Sequence, residues 1–274
     1  MKAYMYAVVA LTSFMFGCEP VQQNSMPAPQ SEPAPVAATE PMANCQMTMG
    51  VDAWEPYQYM KVGNIVAGLD VELVQAVTTD MQCDLNVVQG SWLELLKLLK
   101  DGEIDFVMGA SKTDERMEFA HFSAPYRQER FQLYVRTEHA DLPADNLKSF
   151  IEAGRKVGVV NEYYYGDEVA ELYADENLRS QFVGAIISEL NMARLLDEEV
   201  DGLLEDSFVG ASILRRKGLD KYIKPHAISL GSSDVYVMFS KASVTEQQVE
   251  HFNSSLAKLR DNGTYSEIVD KYRH

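Results

Sequence analysis

The chain is poor in the residues that build metal centres. Its 274 residues include 3 cysteines and 5 histidines. The cysteines (Cys18, Cys45, Cys83) form no C-x-x-C, and the histidines (His121, His139, His226, His251, His274) share no ligand-like spacing. No metal and no organic cofactor is expected from this pattern. Basic residues are also scarce: 24 Lys and Arg stand against 41 Asp and Glu, a formal net charge of −17. So acidic a surface repels phosphate backbones, which sets nucleic acid aside as the main partner. Beyond residue 44, no apolar run reaches the ~20 residues that a membrane-spanning helix needs. What is present is the composition of a folded, water-facing body, 46% hydrophobic and 24% charged. The length suits one large or two medium domains.

The N-terminal region reads differently from the rest. Met1-Lys2 supplies one positive charge, and residues 3–16 form an apolar run too short for a span but suited to the core of a signal peptide. Met15-Phe16-Gly17-Cys18 resembles the lipobox of bacterial lipoproteins, in which a small residue precedes a cysteine that takes lipid. Met15 and the bulky Phe16 depart from the usual pattern. The expectation is a lipoprotein signal peptide over 1–17 and a lipid anchor at Cys18; a cleaved secretory signal with an incidental cysteine is the alternative. Residues 19–44 hold six of the ten prolines and no aromatic residue. Such a segment buries no core, so 18–44 reads as anchor and Pro/Ala-rich tether. The folded body is then expected in the cell envelope, periplasmic or on the outer face of the cytoplasmic membrane. In that oxidising setting Cys45 and Cys83 remain as an even pair, each at the start of a predicted strand. A bridge between adjacent parallel strands is expected, with two buried free thiols as the alternative.

From Cys45 onward, short apolar runs alternate with amphipathic stretches. Strands are predicted over 47–51, 86–88 and 104–108. Helices are predicted where Leu69, Leu73, Val74, Val77 and Met81 recur and over 92–100. A second β/α series follows: strands over 157–160, near Phe182, over 202–205 and near Ile223, with helices over 169–173, 190–196 and 208–216. Segments 131–136 and 234–239 read as connectors, and 245–272 as helical with a stop at Gly263. Two such series predict an α/β protein of two lobes, with two strands crossing between them as a hinge. The expected division is 45–136 plus 234–274 for lobe I and 137–233 for lobe II. Ligands of open α/β sheets sit at the carboxyl ends of the strands, so both lobes would offer loops to a shared cleft.

The strongest local signal is Gly109-Ala-Ser-Lys-Thr-Asp-Glu-Arg116, followed by Phe122-Ser-Ala-Pro-Tyr126. A small polar loop after a strand offers hydroxyls, and Arg116 presents a planar fork suited to a carboxylate. This stretch resembles the "T-x-x-R … F-S-x-P-Y" segment of extracellular solute-binding proteins of family 3, which serve amino-acid ABC importers. Gly68-Leu-Asp-Val-Glu-Leu73, Gly102-Glu-Ile-Asp105, Val157-Gly-Val-Val160, Asp201-Gly-Leu-Leu-Glu-Asp206 and Leu256-Ala-Lys-Leu-Arg-Asp-Asn-Gly-Thr-Tyr265 extend the resemblance over residues 45–272. It implies the type II periplasmic-binding-protein fold and a seat for a zwitterionic amino acid. By that resemblance Arg116 pairs with the solute carboxylate and Ser111 hydrogen-bonds it. Asp206 holds the ammonium, and Trp54 and Trp92 wall the side chain. Asp52 lies one residue from a position that contacts cationic side chains in basic amino-acid binders. On the residues alone, Asp206 could equally cap the helix starting at Ser207, and each tryptophan could equally be a core residue.

One segment departs from the family pattern. After Val160 the family has Gly and then Ser or Thr, whereas this chain runs Asn161-Glu-Tyr-Tyr-Tyr-Gly166. Tyr163 and Tyr164 are candidates for the lobe II wall, or ordinary half-exposed aromatics. Glu162 there would repel a carboxylate unless it points away. The expected activity is capture of an amino acid or similar small zwitterion by hinge closure, by a monomer that delivers it to an ABC permease in the membrane. Two other readings compete: the ligand-binding partner of a membrane sensor, and a secreted dehydratase-like enzyme with Glu162 or Glu205 as general acid.

Overall fold

The computed structural model describes residues 45–272. The signal peptide, the Cys18 lipid site and the tether expected from the sequence lie outside the described residues. In chain order the elements begin with β1 (Cys45–Val51), the hairpin β2 (Tyr59–Lys61) and β3 (Ile65–Ala67), α1 (Leu69–Asp80) and β4 (Cys83–Gln89). Next come α2 (Trp92–Asp101), β5 (Phe106–Ala110), α3 (Asp114–Phe119), β6 (Ala120–Phe122) and β7 (Arg127–Arg136). The second series is α4 (Leu147–Glu152), β8 (Val157–Val160), α5 (Asp167–Ala174), β9 (Phe182–Ala185), α6 (Ser188–Leu196), β10 (Gly202–Asp206) and α7 (Ser207–Lys217). The chain closes with β11 (Ile223–Ser240), α8 (Glu246–Asp261) and α9 (Thr264–Asp270).

Local chemistry sets several of these boundaries. Ser91 and Glu94 form a capping box at the start of α2, and Gly102 ends that helix in the left-handed region at φ 75°. Thr245 and Gln248 form the same box on α8. Gly68 precedes α1 at φ 126°, and a Cβ there would fall 2.1 Å from the Tyr57 carbonyl oxygen. No other residue fits that position.

Nine of the strands join in one mixed sheet ordered β4-β1-β5-β11-β7-β10-β8-β9, with β6 paired to β11, while β2 and β3 pair only with each other. β4, β1 and β5 are parallel, as are β10, β8 and β9, while β11 and β7 are antiparallel to each other and to their outer neighbours. The result is two parallel β/α lobes joined through β7 and β11. α1, α8 and α9 pack together on the first lobe, with α2 against β5 and β11; α6 and α7 pack on β8, β10 and β7. β11 corrects one expectation. The sequence suggests a strand near Ile223 and a separate segment over 234–239, yet these are one strand of 18 residues. Backbone pairing to β7 carries it through the polar run Gly231-Ser232-Ser233, with register shifts around Ser229. Main-chain hydrogen bonds need no apolar side chain, so hydropathy missed the continuity.

Cys45 stands opposite Cys83 in the parallel register of β1 and β4, and the two are disulfide-bonded. The bridge expected from their strand positions is present.

Candidate functional site

The carboxyl ends of three parallel strands of the first lobe and two of the second meet at one place. Residues just beyond β1, β4, β5, β8 and at the end of β10 supply Asp52 and Trp54, Trp92, Ser111, Tyr163, and Glu205 with Asp206. Their meeting follows from the geometry of open α/β sheets, whose loops cluster at the carboxyl edge. A cleft between the lobes is lined by Asp52, Trp54, Trp92, Ser111, Arg116, Tyr163 and Tyr164, together with Gln58, Met108, Gly109, Glu129 and Phe131.

Arg116 sits in the first turn of α3, whose N-cap Thr113 accepts from the Arg116 backbone N–H. The side chain is buried, and burial lowers its pKa while Glu129 and Glu162 act in the opposite sense. Its Nη1 donates to the Ser111 carbonyl at 2.9 Å and its Nη2 to the Glu162 carbonyl at 2.7 Å. The guanidinium lies 5.4 Å from the centre of the Trp92 ring. Trp92, the first residue of α2, donates its indole N–H to that same Glu162 carbonyl at 3.1 Å. Ser111 Oγ donates to Glu129 at 3.1 Å.

Trp54 closes the other side. Gly109, at φ 76°, makes room for it: a Cβ there would fall 3.0 Å from the indole ring. The Trp54 indole N–H donates to Glu205 at 3.3 Å. Between the two tryptophans stands the ring of Tyr163, edge-on to each with centroids 6.0 Å apart. Its hydroxyl donates to Asp52 at 3.0 Å. Asp52 also accepts from the Ala53 N–H at 2.7 Å. Burial nonetheless pushes its carboxyl up to about 6. Tyr164 turns aside, donating to Asp167.

Asp206 occupies a different kind of place. It is fully buried and caps α7, accepting from Phe208 N–H at 2.9 Å and Val209 N–H at 3.1 Å, and from Arg130 N–H at 3.3 Å. It does not line the cleft. The capping alternative weighed from the sequence describes the contacts it makes here.

Two acids carry weight that sequence reasoning missed or placed elsewhere. Glu129 is buried between Ser111 and Ser233, and burial pushes it up to about 7. The available signal was a charge on the inward face of β7, in step with buried Phe131 and Leu133. Glu205, considered above only as a general acid, is fully buried beside Trp54, and burial pushes it too up to about 7. Beneath them, Arg127 forms a buried two-pronged ion pair with Asp70 at 2.8 and 3.1 Å and stacks 3.6 Å over the Tyr57 ring. No cluster of three or more potential metal ligands occurs among the described residues.

Two parallel β/α lobes on crossing strands, with a polar and aromatic cleft between them, define a two-lobed binding protein. Residues 47–274 match the model of bacterial extracellular solute-binding proteins, family 3, and the chain belongs to that family. Among its relatives is a "Probable histidine-binding protein" of Neisseria gonorrhoeae, 26% identical over 99% of this chain and 96% of that one. The "ABC transporter arginine-binding protein 1" of Escherichia coli (strain K12) is 23% identical over 83% of this chain and 90% of its own length. Solved structures with the same fold include a histidine kinase sensor domain with similarity to periplasmic binding proteins, with a TM-score of 0.74 and 22% identity over 85% of this chain and 97% of that one. The arginine-, lysine-, histidine-binding protein ArtJ of Geobacillus stearothermophilus superposes with a TM-score of 0.70 and 22% identity, over 84% and 95% of the two chains.

Proposed function

We propose that this protein captures a cationic amino acid from outside the cytoplasm by lobe closure and hands it to an ABC importer. The relatives named above for histidine and arginine support the solute class. The observation that carries the reading is the pairing of Arg116, beside Ser111, with Asp52 across a cleft walled by Trp54 and Trp92. A carboxylate suits the guanidinium at one end and a cation suits the carboxyl at the other, with apolar plates between. Glu129 lines the same cleft and Glu205 accepts from Trp54, and a bound cation would favour their charged forms. Both lobes supply contacts, so solute binding favours the closed state.

In this reading residues 1–17 are the signal peptide, Cys18 carries lipid and 18–44 tether a monomeric body at the membrane surface. Lobe I comprises 45–136 plus 234–274, and lobe II 137–233. The named relatives are binding proteins, and the assigned residues hold a solute rather than transform it. A sensory role is the second reading, favoured by the likeness to a histidine kinase sensor domain. There closure would be read by a separate receptor.

Isothermal titration of the body with L-arginine, L-histidine, L-lysine and L-glutamine tests the proposal. Saturable binding of the cationic members that Arg116→Ala abolishes is the expected result. Binding of none, or equal binding in Arg116→Ala, overturns it.

A further inference from the structure

The groups proposed to seat the solute already have partners, and those partners come from one short segment of the second lobe. Residues 161–165 leave the carboxyl end of β8. Glu162 adopts φ 62°, a left-handed conformation unfavourable for a residue that carries a Cβ. That turn aims the Glu162 carbonyl at Arg116 Nη2 and at the Trp92 indole N–H, at 2.7 and 3.1 Å. It also delivers the Tyr163 ring between Trp54 and Trp92 and its hydroxyl to Asp52 at 3.0 Å. The segment is braced from behind. Tyr165 accepts from the Val160 N–H at 2.8 Å and packs on Phe131 with ring centroids 4.7 Å apart. At the rim, Arg216 of α7 bonds Glu55 at 3.2 Å. The space enclosed among the seat residues is about 20 Å³, room for roughly one water molecule; a larger cavity of about 780 Å³ adjoins it, sharing Arg116, Tyr163 and Tyr164 and lined also by Glu162 and Tyr165.

We infer that Glu162 and Tyr163 are a tethered occupant of the cleft, an internal competitor that sets the affinity a solute must exceed to enter. The carbonyl stands at the carboxylate end of the seat and the phenol at the side-chain end. Together they bridge the two lobes through Arg116, Trp92 and Asp52. A solute enters only by displacing them, a step that rests on the amino-acid reading above. Displacement is a comparison of partners. A carboxylate gives Arg116 a charge-assisted, two-pronged contact where the carbonyl gives a single neutral acceptor. A cationic side chain gives Asp52 an ion pair where the phenol gives only a neutral donor. A solute charged at both ends outcompetes the segment at both. An uncharged side chain recovers nothing for the lost Tyr163–Asp52 bond, so a neutral amino acid falls below the threshold that a cationic one exceeds.

The chain's two tryptophans, Trp54 and Trp92, both contact this segment or its neighbours, so their fluorescence reports its position. The test compares wild type, Tyr163→Phe and Tyr163→Ala, each checked for native circular dichroism. Acrylamide quenching and small-angle scattering are recorded without solute, followed by titration with L-arginine and L-glutamine. Wild type is expected to be compact with shielded tryptophans, and Tyr163→Ala larger and readily quenched. Tyr163→Ala is also expected to bind both solutes roughly tenfold more tightly or better, as removal of a closed state populated at ~90% requires. Its preference for arginine over glutamine is unchanged, because removing the competitor raises every affinity by the same factor. Should Tyr163→Ala fail to fold, Tyr163→Phe carries the comparison, because it keeps the ring and loses only the Asp52 bond. A solute-free wild type as quenchable and extended as the variant overturns the inference, as does unchanged affinity. A closed wild type that binds neither solute upholds the tethered occupant and overturns the amino-acid reading instead.

Discussion

The Tyr163 hydroxyl donates to the Asp52 carboxyl at 3.0 Å across the cleft, joining residues 111 positions apart. Asp52 is buried, and its pKa is pushed up to about 6 by that burial even though the Ala53 N–H and the Tyr163 hydroxyl favour its charged form. Replacing the phenol by Phe removes one of those supports. In Tyr163→Phe the Asp52 carboxyl should therefore titrate above its wild-type midpoint, measured by carboxyl carbon NMR. The variant should lose about 1 kcal/mol of stability, the net worth of one hydrogen bond. A midpoint that falls would show that the hydroxyl does not serve Asp52.

Arg116 is held by two carbonyls, and both contacts use its planar fork. Arg116→Ala should lose about 2–5 kcal/mol in solute binding, the usual result of truncating one partner of a desolvated charge pair. Arg116→Lys should recover little of it, because a single ammonium cannot meet two divergent acceptors. Calorimetric titration of both variants checks this.

The Arg127–Asp70 pair is buried on both sides, with Asp70 wholly inaccessible. Asp70→Ala would strand the guanidinium, which is expected to cost about 3–5 kcal/mol in urea unfolding. A variant within 1 kcal/mol of wild type would remove this pair from the account of the lobe I core.

The Cys45–Cys83 bridge closes a loop of 38 residues. The chain-entropy relation gives about 4 kcal/mol for a loop of that length. Reduction should lower the melting temperature visibly, and Cys45→Ala with Cys83→Ala should reproduce the shift. Identical melting with and without reductant would contradict the bridge.

Asp52 titrates at about 6, and Glu129 and Glu205 at about 7, all raised mainly by burial. Each keeps its proton in the folded state where the unfolded chain has already lost it. Their contribution is therefore complete below about pH 4 and is lost as pH rises through 6 to 7. At 1.36 kcal/mol per unit, even one realised unit at each of the three gives about 4 kcal/mol. Urea unfolding should accordingly show lower stability at pH 8 than at pH 5, with the difference reduced in Glu129→Gln. Stability that rises over this interval would contradict the assignment.

Much of the scaffold was legible from local pattern. The alternation of apolar strands and amphipathic helices marks both lobes, and Cys45 and Cys83 at two strand starts point to their pairing. Arg116, Ser111, Trp54, Trp92, Asp52 and Tyr163 were candidates on sequence grounds, and they line one cleft. Glu129 was not among them, because its neighbours on β7 read as a connector and a buried acid leaves no periodic signature. β11 was divided in two because hydropathy does not register main-chain pairing.

What the sequence determined by itself is therefore the periodicity: which faces are apolar, where helices start and stop, and which residue types stand at the strand ends. Only the tertiary structure decided that the strand ends of one lobe meet a segment of the other. Only it placed the Glu162 carbonyl, a group every residue possesses, on Arg116 and Trp92. The physical reason is range. Burial patterns are written within a few residues along the chain, whereas contact across the cleft depends on how the two β/α lobes are set by β7 and β11.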